Sequence, residues 1–160
     1  MNERHKVTLR LARPTDSNAM KVILQDTFES VWRPNISPAA AAAYLDEDRG
    51  GAYVDQHGHE FRVAELDGEV AGLVHWQDDF IHALHVGSAY RRHGIGLHLM
   101  DLAEKGMAQS GIGQARLETD TFNEPSRAFY EACGYIEAGR YPDEEWNSDL
   151  TTILFVKQLR

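Results

Sequence analysis

The sequence predicts an α/β domain built on a mixed, mostly antiparallel sheet of about seven strands, flanked by about four helices. Three features predict it. Residues 61–66, 70–76 and 80–86 read as successive strands, joined by the turn signals Asp67-Gly68 and Asp78-Asp79, and so as an antiparallel meander. Directly after Gly94 the apolar spacing becomes helical, through Ile95, Leu99, Leu102, Ala103 and Met107. Beyond Gly111, strand and helix signals alternate to the end of the chain.

The elements follow in order. Residues 7–12 alternate in character and read as a first strand. Pro14-Thr15-Asp16-Ser17 supplies helix N-cap candidates, and Met20, Ile23, Leu24, Phe28 and Val31 continue at helical spacing until Pro34 ends the run. Ser37-Pro38 is a second cap with proline at the first helical position, followed by the alanines of 39–43. The charged, glycine-containing stretch 46–58 reads as a loop. The meander comes next, then the helix after Gly94, for which Gly111 is a C-terminal cap. Residues 115–120 form a strand, 125–133 a short helix ending at Gly134, and 135–140 and 150–156 the closing strands.

With 160 residues and no internal repeat, the chain reads as a single domain over 1–160. Its apolar fraction of 42% and charged fraction of 26% are those of a globular protein. A formal net charge of −9 argues against non-specific nucleic-acid binding. The lone cysteine, Cys133, precludes an internal disulfide. The polar start Met1-Asn2-Glu3-Arg4-His5-Lys6 lacks an apolar signal core, and no apolar run reaches the ~20 residues of a membrane span. The expected location is the cytoplasm.

The junction after the third meander strand carries the chemistry. Leu84, His85 and Val86 end that strand, and Arg91, Arg92, His93, Gly94, Ile95 and Gly96 lead into the helix. Glycines let a backbone approach a ligand closely. The first N–H groups of a helix lack intrahelical partners and attract phosphate, and two arginines add charge. The pattern is not a P-loop, because no Gly-Lys-Ser/Thr follows. Nor is it the dinucleotide fingerprint, since His98 and Leu99 stand after Gly96 where a further glycine is required. On this pattern alone, a surface turn that only starts a helix remains an alternative.

Taken with two later segments, the junction resembles the GNAT superfamily of N-acetyltransferases. The second segment is the strand 116–121 followed by Asn123-Glu124-Pro125-Ser126-Arg127-Ala128-Phe129-Tyr130-Glu131, and the third is Cys133-Gly134-Tyr135. The resemblance covers almost the whole chain. It implies acetyl-CoA as co-substrate, with the pyrophosphate on backbone amides of Arg92, His93, Gly94, Ile95 and Gly96 and with Arg91 opening the motif. It implies a pantetheine arm paired along Leu84, His85 and Val86. Asn123 takes the family's Asn position beside the cofactor arm, and Ser126, counted with it among the cofactor-binding residues, stands where the family often has Ala. Tyr130 matches the usual general acid, which protonates the departing thiolate. Packing of an aromatic against the sheet is the alternative role.

An aliphatic amine is mostly protonated at neutral pH, so a base is needed. Glu65, His75, Asp78, Asp79 and His82 are candidates. His82 comes first, because it shares a strand face with Leu84 and Val86 if no bulge intervenes. Alternation puts His82 and His85 on opposite faces, and with His75 they make no convincing metal set, so no metal is expected. Cys133 reads as a buried small residue rather than a nucleophile.

The resemblance places the acceptor between 28–53 and 141–149. Aromatics there (Trp32, Tyr44, Tyr53, Trp76, Trp146) and the acids Asp46, Glu47, Asp48, Asp143, Glu144 and Glu145 suit a cationic amine. Solvated acidic loops are the plain alternative. The acceptor class stays open between a small-molecule amine and a peptide or protein amine, and a homodimer is common in the family. The competing function is a catalytically silent acyl-CoA-binding module.

Overall fold

The computed structural model describes residues 5–143 and 150–159. Seven strands form one sheet: β1 (Val7–Leu11), β2 (Arg62–Leu66), β3 (Glu69–Gln77), β4 (Phe80–Val86), β5 (Gln114–Asp120), β6 (Ile136–Pro142) and β7 (Thr151–Gln158). Their spatial order is β1-β2-β3-β4-β5-β7-β6. Only β4 and β5 run parallel; the other neighbours are antiparallel. The mixed, mostly antiparallel sheet is therefore as the sequence predicts.

The described residues form five α-helices: α1 (Ser17–Thr27), α2 (Pro38–Asp46), α3 (Arg49–His57), α4 (Ile95–Gln109) and α5 (Glu124–Ala132), of which α1, α3, α4 and α5 pack on the sheet. Among the described residues, no helix is long and apolar enough to cross a membrane. The sheet buries both faces. On one, Leu99, Met100, Ala103 and Met107 of α4 pack against Val74, Ile81, Leu117 and Phe155. On the other, Met20, Ile23 and Leu24 of α1 and Val54 of α3 pack against Phe61, Val63, Leu73 and Ala83. Met20, Ile23, Leu24, Leu99, Ala103 and Met107 are among the residues whose period-3.6 spacing the sequence displays, and the strand residues lie in the stretches it reads as strands; Val54 and Met100 were not marked by it.

Two expectations are corrected. The stretch 46–58 is not a loop, since α3 occupies most of it. Two of its glycines lie close to neighbouring side-chain ends. A Cβ on Gly50 would lie 2.6 Å from Tyr44 Oη, and one on Gly51 would lie 2.3 Å from the Asp48 carboxylate. The first helix also does not run regularly to Pro34. It passes at Phe28–Trp32 into a π-helical turn and then a 3-10 turn, Arg33–Asn35. The change of winding lets Phe28 stay buried and stack on Tyr44, with ring centroids 4.0 Å apart.

The Asp67-Gly68 turn has φ of 52° and 89°, the left-handed pair that closes a two-residue hairpin. Opposite it, the β3–β4 ladder carries a bulge. His75 pairs with Ala83 and Trp76 with Ile81, which leaves His82 as the extra residue on β4.

Candidate active site

The β4–β5 contact is short. Within the described residues these strands pair only at Phe80–Arg116 and Ile81–Leu117. Beyond Ile81 they separate, and β4 keeps only its β3 partners: Leu84 with Val74, His85 with Leu73, Val86 with Gly72. In a β-strand the polar backbone groups point alternately to its two edges. The edge of β4 turned to β5 thus presents backbone donors and acceptors to a cleft. A peptide-like ligand can pair with such an edge.

The cleft opens onto the loop. Gly87 N–H donates to Ala71 O at 2.9 Å and fixes the end of β4. Asp26, on α1, accepts from Ser88 N–H at 2.7 Å and from Ser88 Oγ at 2.9 Å, anchoring the next turn. Arg92 and Gly94 then both adopt left-handed backbone, with φ of 70° and 73°. Such turns gather successive N–H groups into an anion-binding hollow. Gly94 is the N-cap of α4 and has no side chain to satisfy the first-turn amides. The first helical bond runs from His98 N–H to Gly94 O at 3.1 Å, so the amides of Ile95 and Gly96 precede it. Arg91, Arg92 and Gly94 are exposed, His93 and Gly96 half-buried, and Ile95 buried.

Two close approaches hold this loop in place. A Cβ on Gly72 would lie 2.9 Å from His85 O and 3.0 Å from Ile95 and Leu99, so glycine there lets α4 settle onto the sheet. A Cβ on Gly96 would come to 3.2 Å from the Phe129 ring. The start of α4 therefore touches α5, and α5 carries Asn123, Ser126 and Tyr130.

Asn123 is the N-cap of α5, its side-chain oxygen accepting from Ser126 N–H at 3.3 Å. Both residues thus start the helix that presents Tyr130. The Tyr130 ring is edge-on to Tyr135 and tilted against Phe155, with centroids 6.2 and 6.1 Å away. Burial, with the nearby Cys133 as a lesser cause, pushes the Tyr130 phenol up to about 12. It is a protonated donor throughout the neutral range. Burial also raises the Cys133 thiol, which keeps it protonated and unlike a nucleophile. Fully buried Tyr135 donates to Glu104 at 2.9 Å, and Lys157 meets the same carboxylate at 2.8 Å.

The three predicted strand residues divide by face. Leu84 and Val86 pack on the α4 side. His85 faces the other way, and burial lowers its imidazole to about 4, so it is neutral at pH 7. The bulge changes the reading of His82. Ile81 belongs to the α4-side core and Ala83 to the α1-side core, so alternation breaks between them. The exposed His82 ring stacks on His75 at 5.2 Å, and His75 in turn contacts Tyr53 and Phe61. His82 therefore lies on the α1–α3 side with His85 and does not share a face with Leu84 and Val86. It does stand immediately after Ile81, where β4 leaves β5.

Around the expected acceptor walls, Trp32 packs edge-on against Phe122, with centroids 5.5 Å apart. Trp76 is engaged elsewhere, against Gly106 of α4 and beneath Arg62. A cavity of about 380 Å³ lies along α2, lined by Arg33, Ile36, Ala41, Leu45 and Asp46 among others. Tyr141 donates to Glu118, and Asp143 N–H donates to Leu150 O at 2.8 Å, closing the base of the β6–β7 connection. Glu144, Glu145 and Trp146, expected in the acceptor wall, lie outside the described residues.

Proteins of known structure share this architecture. The apo form of YjaB from Escherichia coli superposes with a TM-score of 0.79 at 16% identity, over 94% of this chain and 97% of that one. A GCN5-related N-acetyltransferase from Rhodopseudomonas palustris gives 0.78 at 21%, over 94% of each. The PaiA N-acetyltransferase from Thermoplasma acidophilum, solved in complex with coenzyme A, gives 0.74 at 16%, over 96% and 99%. The fold is thus that of the N-acetyltransferases. The acetyltransferase (GNAT) family model matches residues 18–135, and the chain belongs to this family.

Proposed function

We propose that this protein moves an acetyl group from acetyl-CoA directly to a primary amine of a small molecule, peptide or protein. The observation that carries the reading is the edge of β4 beyond Ile81, which leads straight into a left-handed turn and the uncapped start of α4. The residues fit the cofactor. Leu84, His85 and Val86 offer backbone groups to a pantetheine arm, and Arg92, His93, Gly94, Ile95 and Gly96 offer amides to a pyrophosphate. Glycine suits both positions: Gly94 holds a left-handed φ of 73°, and a Cβ on Gly96 would lie 3.2 Å from the Phe129 ring. Arg91 and Arg92 add charge at its rim. Family membership and the coenzyme A complex of the Thermoplasma acidophilum relative support acetyl-CoA as the co-substrate.

Bound acetyl-CoA supplies an activated thioester. The protein's part is orientation and proton handling. A backbone N–H of Val86 or its neighbour polarises the acetyl carbonyl, a fixed dipole that needs no reorganisation. Tyr130 donates its phenolic proton toward the departing sulfur, whose thiol form has a reference pKa near 8.5. His82, at the head of the cleft, takes the amine proton directly or through water. Asn123 and Ser126 hold the first turn of α5, and through it Tyr130.

Turnover of Tyr130→Phe tests the assignment. With an accepted amine, kcat should fall by roughly 10²–10⁴ while acetyl-CoA affinity stays within about twofold. The loss should persist up to pH 10, because the wild-type phenol stays protonated there. Unchanged turnover would remove Tyr130 from the mechanism.

A further inference from the structure

A second cluster of side chains lies at the end of α3, where the helix meets β3. His57 is the last residue of α3, and the 3-10 turn Gly58–Glu60 brings Glu60 to the same side. His57 Nδ1 is 2.7 Å from Glu60 Oε2, and His75 Nε2, from β3, is 3.7 Å from that oxygen. One ligand atom from each of the three residues lies within 4.8 Å of the others.

The decisive member is His75. The residue is only 2% exposed, and its Nε2 has no hydrogen-bond partner among the described residues. Leaving a buried ring nitrogen unpaired is costly, and native structures avoid it unless something occupies the position. Its other nitrogen, Nδ1, shares a hydrogen bond with the Tyr53 hydroxyl. Tyr53 precedes His57 by one helical turn on α3, so the helix that supplies one cluster residue also orients the ring of another. An imidazole held at one nitrogen and bare at the other, beside a carboxylate and a second imidazole, is the arrangement of a metal ligand set.

We propose that His57, Glu60 and His75 bind one divalent transition-metal ion of the zinc class, with Tyr53 as the group that orients His75. Two imidazoles and one carboxylate suit Zn²⁺, Co²⁺ or Ni²⁺. One carboxylate is too few for a protein-made Ca²⁺ cage, and the absence of sulfur from the set disfavours soft ions. Tetrahedral ligands at about 2.1 Å from an ion stand about 3.4 Å apart. The separations of 2.7 and 3.7 Å to Glu60 bracket that spacing, and all three ligand atoms lie within 4.8 Å of one another. Binding takes the place of the His57–Glu60 hydrogen bond, with neutral His57 ligating through Nδ1 and carrying its ring proton on Nε2. His57 and Glu60 are each about a third exposed, at 32% and 31%, which gives the ion access and leaves a fourth position to water. The ion would join the C-terminal end of α3 to β3.

The test uses the full chain, stripped with a chelator and titrated with Co²⁺, then with Zn²⁺. The wild type should develop visible Co²⁺ absorption that saturates at one equivalent and is bleached by Zn²⁺. Saturating Zn²⁺ should raise its melting temperature by several degrees. His57→Ala and Glu60→Gln, both at partly exposed positions, should fold normally by circular dichroism and bind at least tenfold more weakly. Tyr53→Phe should bind about tenfold more weakly with the same stoichiometry. Absence of saturable Co²⁺ binding in the wild type would overturn the proposal. So would binding that both His57→Ala and Glu60→Gln retain, which would place the ion elsewhere, for example at the His5–His93 ring pair beside Asp67.

Discussion

Gly72 sets the distance between α4 and the sheet. A Cβ there would come within 2.9 Å of His85 O, a backbone atom near the end of β4, and 3.0 Å of two side chains of α4. The His85 oxygen cannot retreat without shifting the strand, and the Ile95 and Leu99 methyls are held in the core at the start of α4. Gly72→Ala should therefore destabilise the fold by about 1–3 kcal/mol, read from urea unfolding. It should also weaken acetyl-CoA binding, although residue 72 belongs to neither the loop nor the cleft. Stability within 0.5 kcal/mol of wild type, as an open surface position would give, would contradict the close approach. The sequence hides this role, because an isolated glycine in a strand looks the same whether it accommodates a helix or a bend. The same holds for Gly50 and Gly51, which read as loop residues until Tyr44 and Asp48 are seen against them.

At the scale of elements, β1 and the start of α1 are joined by charge. Arg10 forms a fork on Asp16 at 2.7 and 2.9 Å and also meets Glu65 at 2.5 Å, with the Asp16 side chain only 8% exposed. Asp16 additionally accepts from Arg13 N–H at 2.7 Å. The hydrogen bond to Arg10 is the main cause that lowers the Asp16 carboxyl below its ordinary 3.8, against the opposing effect of burial. A depressed carboxyl stabilises the fold above the unfolded-state pKa, and that contribution is lost as pH falls through the folded value. Asp16→Asn should thus cost about 3 kcal/mol at pH 7, since it leaves Arg10 partly uncompensated. The gap to wild type should narrow as pH drops below 3.8. Thermal melts at pH 7, 4 and 3 would measure it. A gap independent of pH would mean that the carboxylate's charge is not what is lost.

Element by element, legibility followed how local the cause was. Alternation in 61–66, 70–76 and 80–86 located the meander, because period two is written into the residues themselves. The Asp67-Gly68 turn was legible for the same reason. The bulge at His82 was not, since an inserted residue leaves no mark in the alternation it interrupts. That single residue moved His82 and His85 onto one side of the sheet. Helix α3 was concealed by its charges and its glycine pair. Losing α3 also concealed the His57–Glu60–His75 cluster, one member of which, His57, had been assigned to a loop.

For the whole molecule, the site arises from one topological fact. A parallel neighbour beside β4 obliges the chain to cross over through α4, and the crossover starts at the loop 91–96. Divergence of β4 from β5 opens the cleft on the same side of the fold as the uncapped end of α4. The motif residues were readable because glycine and arginine spacing survives in sequence. The acceptor was not, because the segments expected to wall it are far apart in sequence, and residues 144–149, expected among them, lie outside the described residues.

The central claim is that backbone amides of one strand end and one loop hold acetyl-CoA, so the direct measurement is amide by amide. In a ¹H–¹⁵N titration with acetyl-CoA, the largest saturable shifts should fall on Arg92, His93, Gly94, Ile95 and Gly96, with a second group at Leu84, His85 and Val86. Shifts that saturate but cluster elsewhere, for example along the α2 cavity, or no saturable shift at all, would contradict the account.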